Sequence, residues 1–156
     1  MLKAGDRAPD FELPDADMEI ATLSEYLGKH TVVLYFYVRD NTPACTTEAI
    51  EFSDLEDQFA RHGAVVLGIS RDDCISHGEF RDKHGITVRL LADRDCSVCR
   101  LYGVLVNREV EGVERETVLR STFVIDRTGT IRHALYGVNP KGHAQQVLQL
   151  VKELEK

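Results

Sequence analysis

The 156-residue chain has no tryptophan, four prolines and four cysteines. No apolar run approaches the ~20 residues that a membrane-crossing helix needs. The opening MLKAGDRAPDF has no apolar signal-peptide core. The expectation is therefore a cytoplasmic protein whose thiols are free, catalytic or metal-bound, not paired in structural disulfides. Repeats, low-complexity tracts and long linkers are missing, which argues against disorder. Positive charge is the minority: 19 lysines and arginines face 26 acids, for a net charge of −7, so nucleic acid and membranes are not expected partners. What is present is a 43% hydrophobic fraction, ample for the core of a single domain over 1–156.

Hydrophobic periodicity sets the expected elements. Residues 11–20 alternate around a polar turn and predict an N-terminal β-hairpin. A short helix is predicted over 22–27, where Thr22 and Glu25 stand at capping-box spacing. The run 31–37 reads as a buried strand. Cys45, Ala49, Phe52, Leu55 and Phe59 recur at helical spacing and predict one helix over 43–61. A strand (64–69), a helix (75–84, ended by Gly85), a strand (88–92) and a helix (95–102) follow. Strands over 117–126 and 130–136 form a hairpin around Arg127-Thr128-Gly129, and an amphipathic helix over 142–156 closes the chain. The alternation predicts an α/β fold with a mostly parallel central sheet and helices on its faces. Functional sites in such folds lie beyond the carboxyl ends of the strands. Cys45, Cys74 and the Cys96/Cys99 pair each follow one of the first three core strands.

Cys45 is the most informative residue. It falls in the first turn of a helix that begins just past a core strand. A helix N-terminus carries partial positive charge and free N–H groups, both of which favour thiolate, the reactive form of cysteine.

The string YFYVRDNTPACTTEA around it resembles the active-site signature of peroxiredoxins, in particular the bacterioferritin-comigratory or PrxQ-like branch. ISRDD, SHGEF, LLADRD, RSTFVIDRTGTIRH and GHAQQVL match that branch in the same order, so the resemblance covers nearly the whole chain. It implies a thioredoxin-like fold with a mixed central sheet, helices on both faces and an N-terminal β-hairpin. It implies a thiol-dependent peroxidase that needs no metal or other cofactor and reduces hydrogen peroxide and organic hydroperoxides. Thioredoxin or a similar dithiol protein is the implied reductant, and the implied state is a monomer or homodimer. By this resemblance Cys45 is the peroxidatic cysteine, Thr42 and Arg120 activate the peroxide, and Glu48 orients the arginine. The sequence departs from the pattern in four places. Val38 replaces the usual proline and Ala44 the usual glycine, while Ile50 and Arg81 stand where resolving cysteines occur.

Thiolate content alone cannot make such an enzyme fast. Lowering a thiol pKa from about 8.5 to about 6 raises the thiolate fraction at pH 7 roughly 30-fold. Falling nucleophilicity returns roughly 10-fold of that. The larger share must come from stabilising charge on the breaking O–O bond, the task expected of Arg120.

The other thiols leave alternatives open. Cys74, Cys96 and Cys99 are each candidates to resolve an oxidised Cys45. Cys96-x-x-Cys99 also fits a dithiol–disulfide oxidoreductase, with Cys45 ancillary. A peroxide sensor that relays its oxidation to a partner is another reading. Cys74-x-x-His77 with Cys96 and Cys99 has the spacing of a zinc site. His133 and His143 show no partner pattern and are expected to be solvated.

Overall fold

In the computed structural model, residues 1–155 are described. The chain forms β1 (Glu12–Pro14), β2 (Ile20–Thr22), β3 (Thr31–Phe36), α1 (Pro43–Asp54), α2 (Glu56–Arg61), β4 (Ala64–Ser70) and α3 (Cys74–His84). Then come β5 (Arg89–Ala92), α4 (Ser97–Leu101), β6 (Leu105–Val110), β7 (Val113–Val118), β8 (Ser121–Ile125), β9 (Ile131–Tyr136) and α5 (His143–Leu154). The central sheet has the order β5-β4-β3-β8-β9. β3, β4 and β5 are parallel, and β8 and β9 add antiparallel. This is the mixed α/β sheet of the thioredoxin-like class. No described helix is long and apolar enough to cross a membrane.

β3 is central and buried on both faces, which explains its unbroken apolar run. Its side chains alternate between two cores. Val33 and Tyr35, with Tyr37 just past the strand, pack with Cys45, Phe52, Phe59 and the apolar face of α5. Val32, Leu34 and Phe36 pack on the other face with Phe11, Leu23, Val98, Cys99 and Tyr102. The sheet therefore stands between Cys45 and the Cys96/Cys99 pair. The four thiols follow the carboxyl ends of their strands as expected, but they do not share a face.

Several boundaries differ from the sequence reading. The segment 22–27 is the last residue of β2 followed by turns. Its capping-box bonds do form, Thr22 N to Glu25 Oε1 at 2.8 Å and Glu25 N to Thr22 Oγ1 at 3.2 Å. Gly28, at φ +85°, ends the segment before a helix can propagate. The helix over 43–61 breaks at Leu55 (φ −98°, ψ 0°), and α2 restarts with Glu56 and Asp57 in its first turn. Gly85 ends α3 in the left-handed conformation, as predicted. The predicted strand over 117–126 is two strands. Its first residues belong to β7, which pairs with β6 in a separate hairpin. That hairpin turns at Glu111-Gly112, both at positive φ, and its exposed, charge-rich strands carry no apolar alternation to betray them. The closing helix is observed to Leu154, and Lys156 of its predicted span lies outside the described residues.

Candidate active site

Pro43 starts α1 with Thr42 as N-cap, which puts Cys45 in the first turn just beyond β3. The thiol is 1% exposed. Arg120, in the link between β7 and β8, reaches it from beside the end of β3: Nη2 donates to Cys45 Sγ at 3.2 Å. Nη1 donates to Glu48 Oε1 at 2.7 Å. The Arg120 backbone is held as well, its carbonyl accepting from Val138 N at 3.0 Å. Glu48 lies three residues after Cys45, on the same face of α1, and is fully buried. Burial pushes its carboxyl up to about 7, against the opposing pull of Arg120. Burial also works against the Arg120 charge, but Glu48 and Cys45 overcome it and hold the guanidinium protonated more firmly than usual. A fixed cation with directional donors on the sulfur stabilises negative charge there.

Of the predicted site residues, Cys45, Arg120 and Glu48 are directly connected. Thr42 sits at the mouth of the same helix, but its hydroxyl donates to Arg39 O at 3.0 Å rather than to the thiol. Its lone pairs stay available as acceptors.

Sequence reasoning missed two buried polar groups beside this site. His143 is 2% exposed, not solvated. Its Nε2 lies 2.8 Å from Thr122 Oγ1, and its ring meets Phe52 edge-on. Burial, with the nearby Arg120 charge, pulls the imidazole down to about 4. The second group fastens the loop between β3 and α1 onto α3. Asp40 Oδ1 accepts from Tyr37 Oη at 2.6 Å. Asp40 Oδ2 accepts from Ser76 Oγ at 2.8 Å and lies 2.8 Å from His77 Nδ1. His77 Nε2 faces Leu91 O at 2.9 Å, an acceptor only, so that nitrogen carries a proton. SHGEF and GHAQQVL contain both histidines, yet nothing in their spacing marks them as buried.

The remaining thiols are placed differently from Cys45. In the Cys96-x-x-Cys99 segment, Asp93 is buried and accepts from Cys99 N at 2.8 Å and Val98 N at 3.2 Å. The carboxylate thus takes the free donors of α4 that would favour a thiolate. Burial, then Asp93, drives the Cys99 thiol far above the usual range. Cys99 thus lies in surroundings opposite to those that activate a thiol. Cys74 is partly exposed, and burial followed by Asp15 and Asp73 raises its thiol too. Among the described residues, the side chains close enough to share a cation are Asp40, Asp72 and His77, with no cysteine among them. The Cys₃His arrangement is not formed.

A thioredoxin-like sheet with a buried, arginine-bonded thiol at a helix start defines a class of thiol-reactive enzymes. The AhpC/TSA family model matches residues 4–134, and the chain belongs to that family, on its Bcp/PrxQ peroxiredoxin branch. Peroxiredoxin Bcp of Bacillus subtilis (strain 168) is 38% identical over 153 residues, spanning 98% of this chain and 97% of its own. A cysteine-to-serine variant of Xylella fastidiosa PrxQ superposes with a TM-score of 0.93 at 36% identity, covering 100% of this chain and 99% of that one. The bacterioferritin comigratory protein of Xanthomonas campestris, described for its alkyl peroxide reduction activity, gives a TM-score of 0.89 at 34% identity, with 94% and 92% covered.

Proposed function

We propose that the chain is a thiol-dependent peroxidase in which Cys45 is the nucleophile and Arg120 its electrostatic partner. The observation that carries these roles is the Glu48–Arg120–Cys45 chain of contacts, 2.7 and 3.2 Å long. The Cys45 thiolate attacks the distal oxygen of ROOH. An S–O bond forms, the O–O bond breaks, and RO⁻ leaves to take up a proton as ROH. Arg120 faces the charge that moves from sulfur to the departing oxygen. The Thr42 hydroxyl, already donating to Arg39 O, accepts from the peroxide O–H. The alkyl peroxide reduction of the Xanthomonas campestris relative supports the substrate class.

Cys96 and Cys99 are across the sheet from Cys45, which leaves Cys74 or an external thiol to reduce its sulfenic acid. The external thiol is the favoured route, a dithiol protein such as thioredoxin, as the family resemblance implies. A cytoplasmic location and a monomeric or homodimeric state are carried over from the family resemblance.

Intact mass and disulfide mapping after one equivalent of H₂O₂, on wild type and Cys45→Ser, test both parts. Sulfenic acid on Cys45, absent in the variant, is the expected result. A Cys45–Cys74 disulfide would replace external resolution by an internal one. An unmodified Cys45 would overturn the peroxidase assignment.

A further inference from the structure

The loop that carries Cys45 is anchored through Asp40, which stands five positions before it in the stretch from β3 to α1. The Asp40 backbone N–H donates to Asp72 Oδ2 at 2.9 Å. Its carboxyl meets Tyr37 Oη at 2.6 Å, Ser76 Oγ at 2.8 Å and His77 Nδ1 at 2.8 Å. Just past it, Asn41 adopts φ +64° and the Thr42 hydroxyl reaches back to Arg39 O at 3.0 Å. Thr42 O in turn accepts from Thr46 N at 2.9 Å and Thr46 Oγ1 at 2.7 Å. The turn 39–42 is thus closed on itself, and a shift of Asp40 carries Thr42 and the first turn of α1 with it.

The anchor has a rigid backing. The side chains of His77 and Asp40 are 0% and 1% exposed. His77 Nε2 donates to Leu91 O at 2.9 Å, and that carbonyl belongs to β5, the edge strand of the central sheet. His77 Nδ1 and Asp40 Oδ2 are too close to face each other as two bare acceptors, so a second proton lies between them. The ring is therefore a spacer bonded at both ends, to the sheet through one nitrogen and to the Cys45 loop through the other. Both Asp40 oxygens already have donors, which makes the group a clamp and not a cation site. The backbone of Arg120 is held separately, by Val138 N. The reach from its guanidinium to the sulfur then depends on where this loop sits.

We propose that Asp40 and His77 are a positioning pair for the peroxidase reaction, and that the bond between Asp40 and His77 Nδ1 keeps Thr42 and Cys45 aligned with Arg120. The inference rests on the peroxidase reading and adds to it a pair that acts from behind the loop. Misplacing a reacting group by about 1 Å costs on the order of 100-fold in rate. A clamp that never touches the peroxide is therefore felt in the chemistry.

The test uses side chains that each keep one half of the ring's bonding. His77→Asn retains a donor near the position of Nδ1 and loses the bond to Leu91 O. His77→Gln retains a donor near the position of Nε2 and loses the bond to Asp40. Single-turnover oxidation of the reduced protein by hydrogen peroxide should slow on the order of tenfold in His77→Gln and less than about threefold in His77→Asn. Asparagine leaves the larger gap, so a purely structural histidine gives the opposite order. Reduction of the oxidised protein by dithiothreitol, which needs no alignment with Arg120, should not slow in either variant. Asp40→Asn weakens the same bond from the other side and should slow oxidation likewise, and joined to His77→Gln it should slow it no further than the worse single variant. A His77→Gln rate equal to that of the wild type would overturn the pair, as would equal losses in both histidine variants, parallel slowing of reduction, or additive losses in the double variant. Should His77→Gln fail to fold, an Asp40→Asn rate equal to that of the wild type would overturn it alone. A wild type that leaves hydrogen peroxide unconsumed would overturn the peroxidase reading itself and this inference with it.

Discussion

The carboxyl of Glu48 and the guanidinium of Arg120 meet at 2.7 Å where the glutamate has no exposed surface. Burial raises the Glu48 carboxyl to about 7 from its ordinary 4.5. Between these values the folded state holds a proton that the unfolded chain has released, so this group's stabilising contribution falls as pH rises through the window. Glu48→Gln removes the titration. The variant should therefore gain on the wild type, by roughly 3 kcal/mol between pH 4.5 and pH 8. Denaturant unfolding at the two pH values measures it, and parallel curves would show that the pair carries no such cost.

Arg120→Lys keeps a positive charge but loses the fork that holds Glu48 with one arm and the sulfur with the other. The second-order rate of Cys45 oxidation should fall on the order of 100-fold. A rate near that of the wild type would remove Arg120 from the chemistry.

His143 gives the opposite pH dependence. Its folded value of about 4 lies below the ordinary 6.5, so the unfolded chain binds a proton that the folded one refuses. Stability from this group is present above 6.5 and lost as pH falls toward 4. His143→Gln, which can still bond Thr122, should flatten that loss, worth roughly 3 kcal/mol. Thermal unfolding at pH 7 and pH 4.5 checks the sign.

Gly68 on β4 leaves room for the Tyr35 ring on β3. A Cβ there would come 2.7 Å from Tyr35 Cζ and 2.8 Å from its hydroxyl. Tyr35 stacks on Phe52 of α1, ring centroids 4.6 Å apart, so the intrusion would push on the Cys45 helix. Gly68→Ala should cost roughly 1–3 kcal/mol of stability and slow Cys45 oxidation. An unchanged denaturation midpoint would show that the ring moves freely.

The sheet and most helices were legible because period and burial coincide in them. β3 reads as a strand from 31–37 alone, since both its faces are covered. The β6–β7 hairpin was not legible, because most of its residues are exposed and hydrophobic pattern is the signal being read. Only Glu111-Gly112 marked its turn. At the site, Cys45 stood out from local context, while Arg120, Thr42 and Glu48 rested on resemblance; Arg120 comes from 75 residues away, and no local pattern encodes that approach. The burial of His143 and His77 was hidden for the same reason: their partners, Thr122 and Asp40, lie 21 and 37 residues off.

The central sheet that parts Cys45 from Cys96 and Cys99 acts as a redox insulator. An oxidising equivalent accepted on one side has no packed path to the sulfurs on the other. Chemistry at the Cys45 sulfur is thereby kept apart from the Cys96 and Cys99 sulfurs for as long as the two cores stay packed.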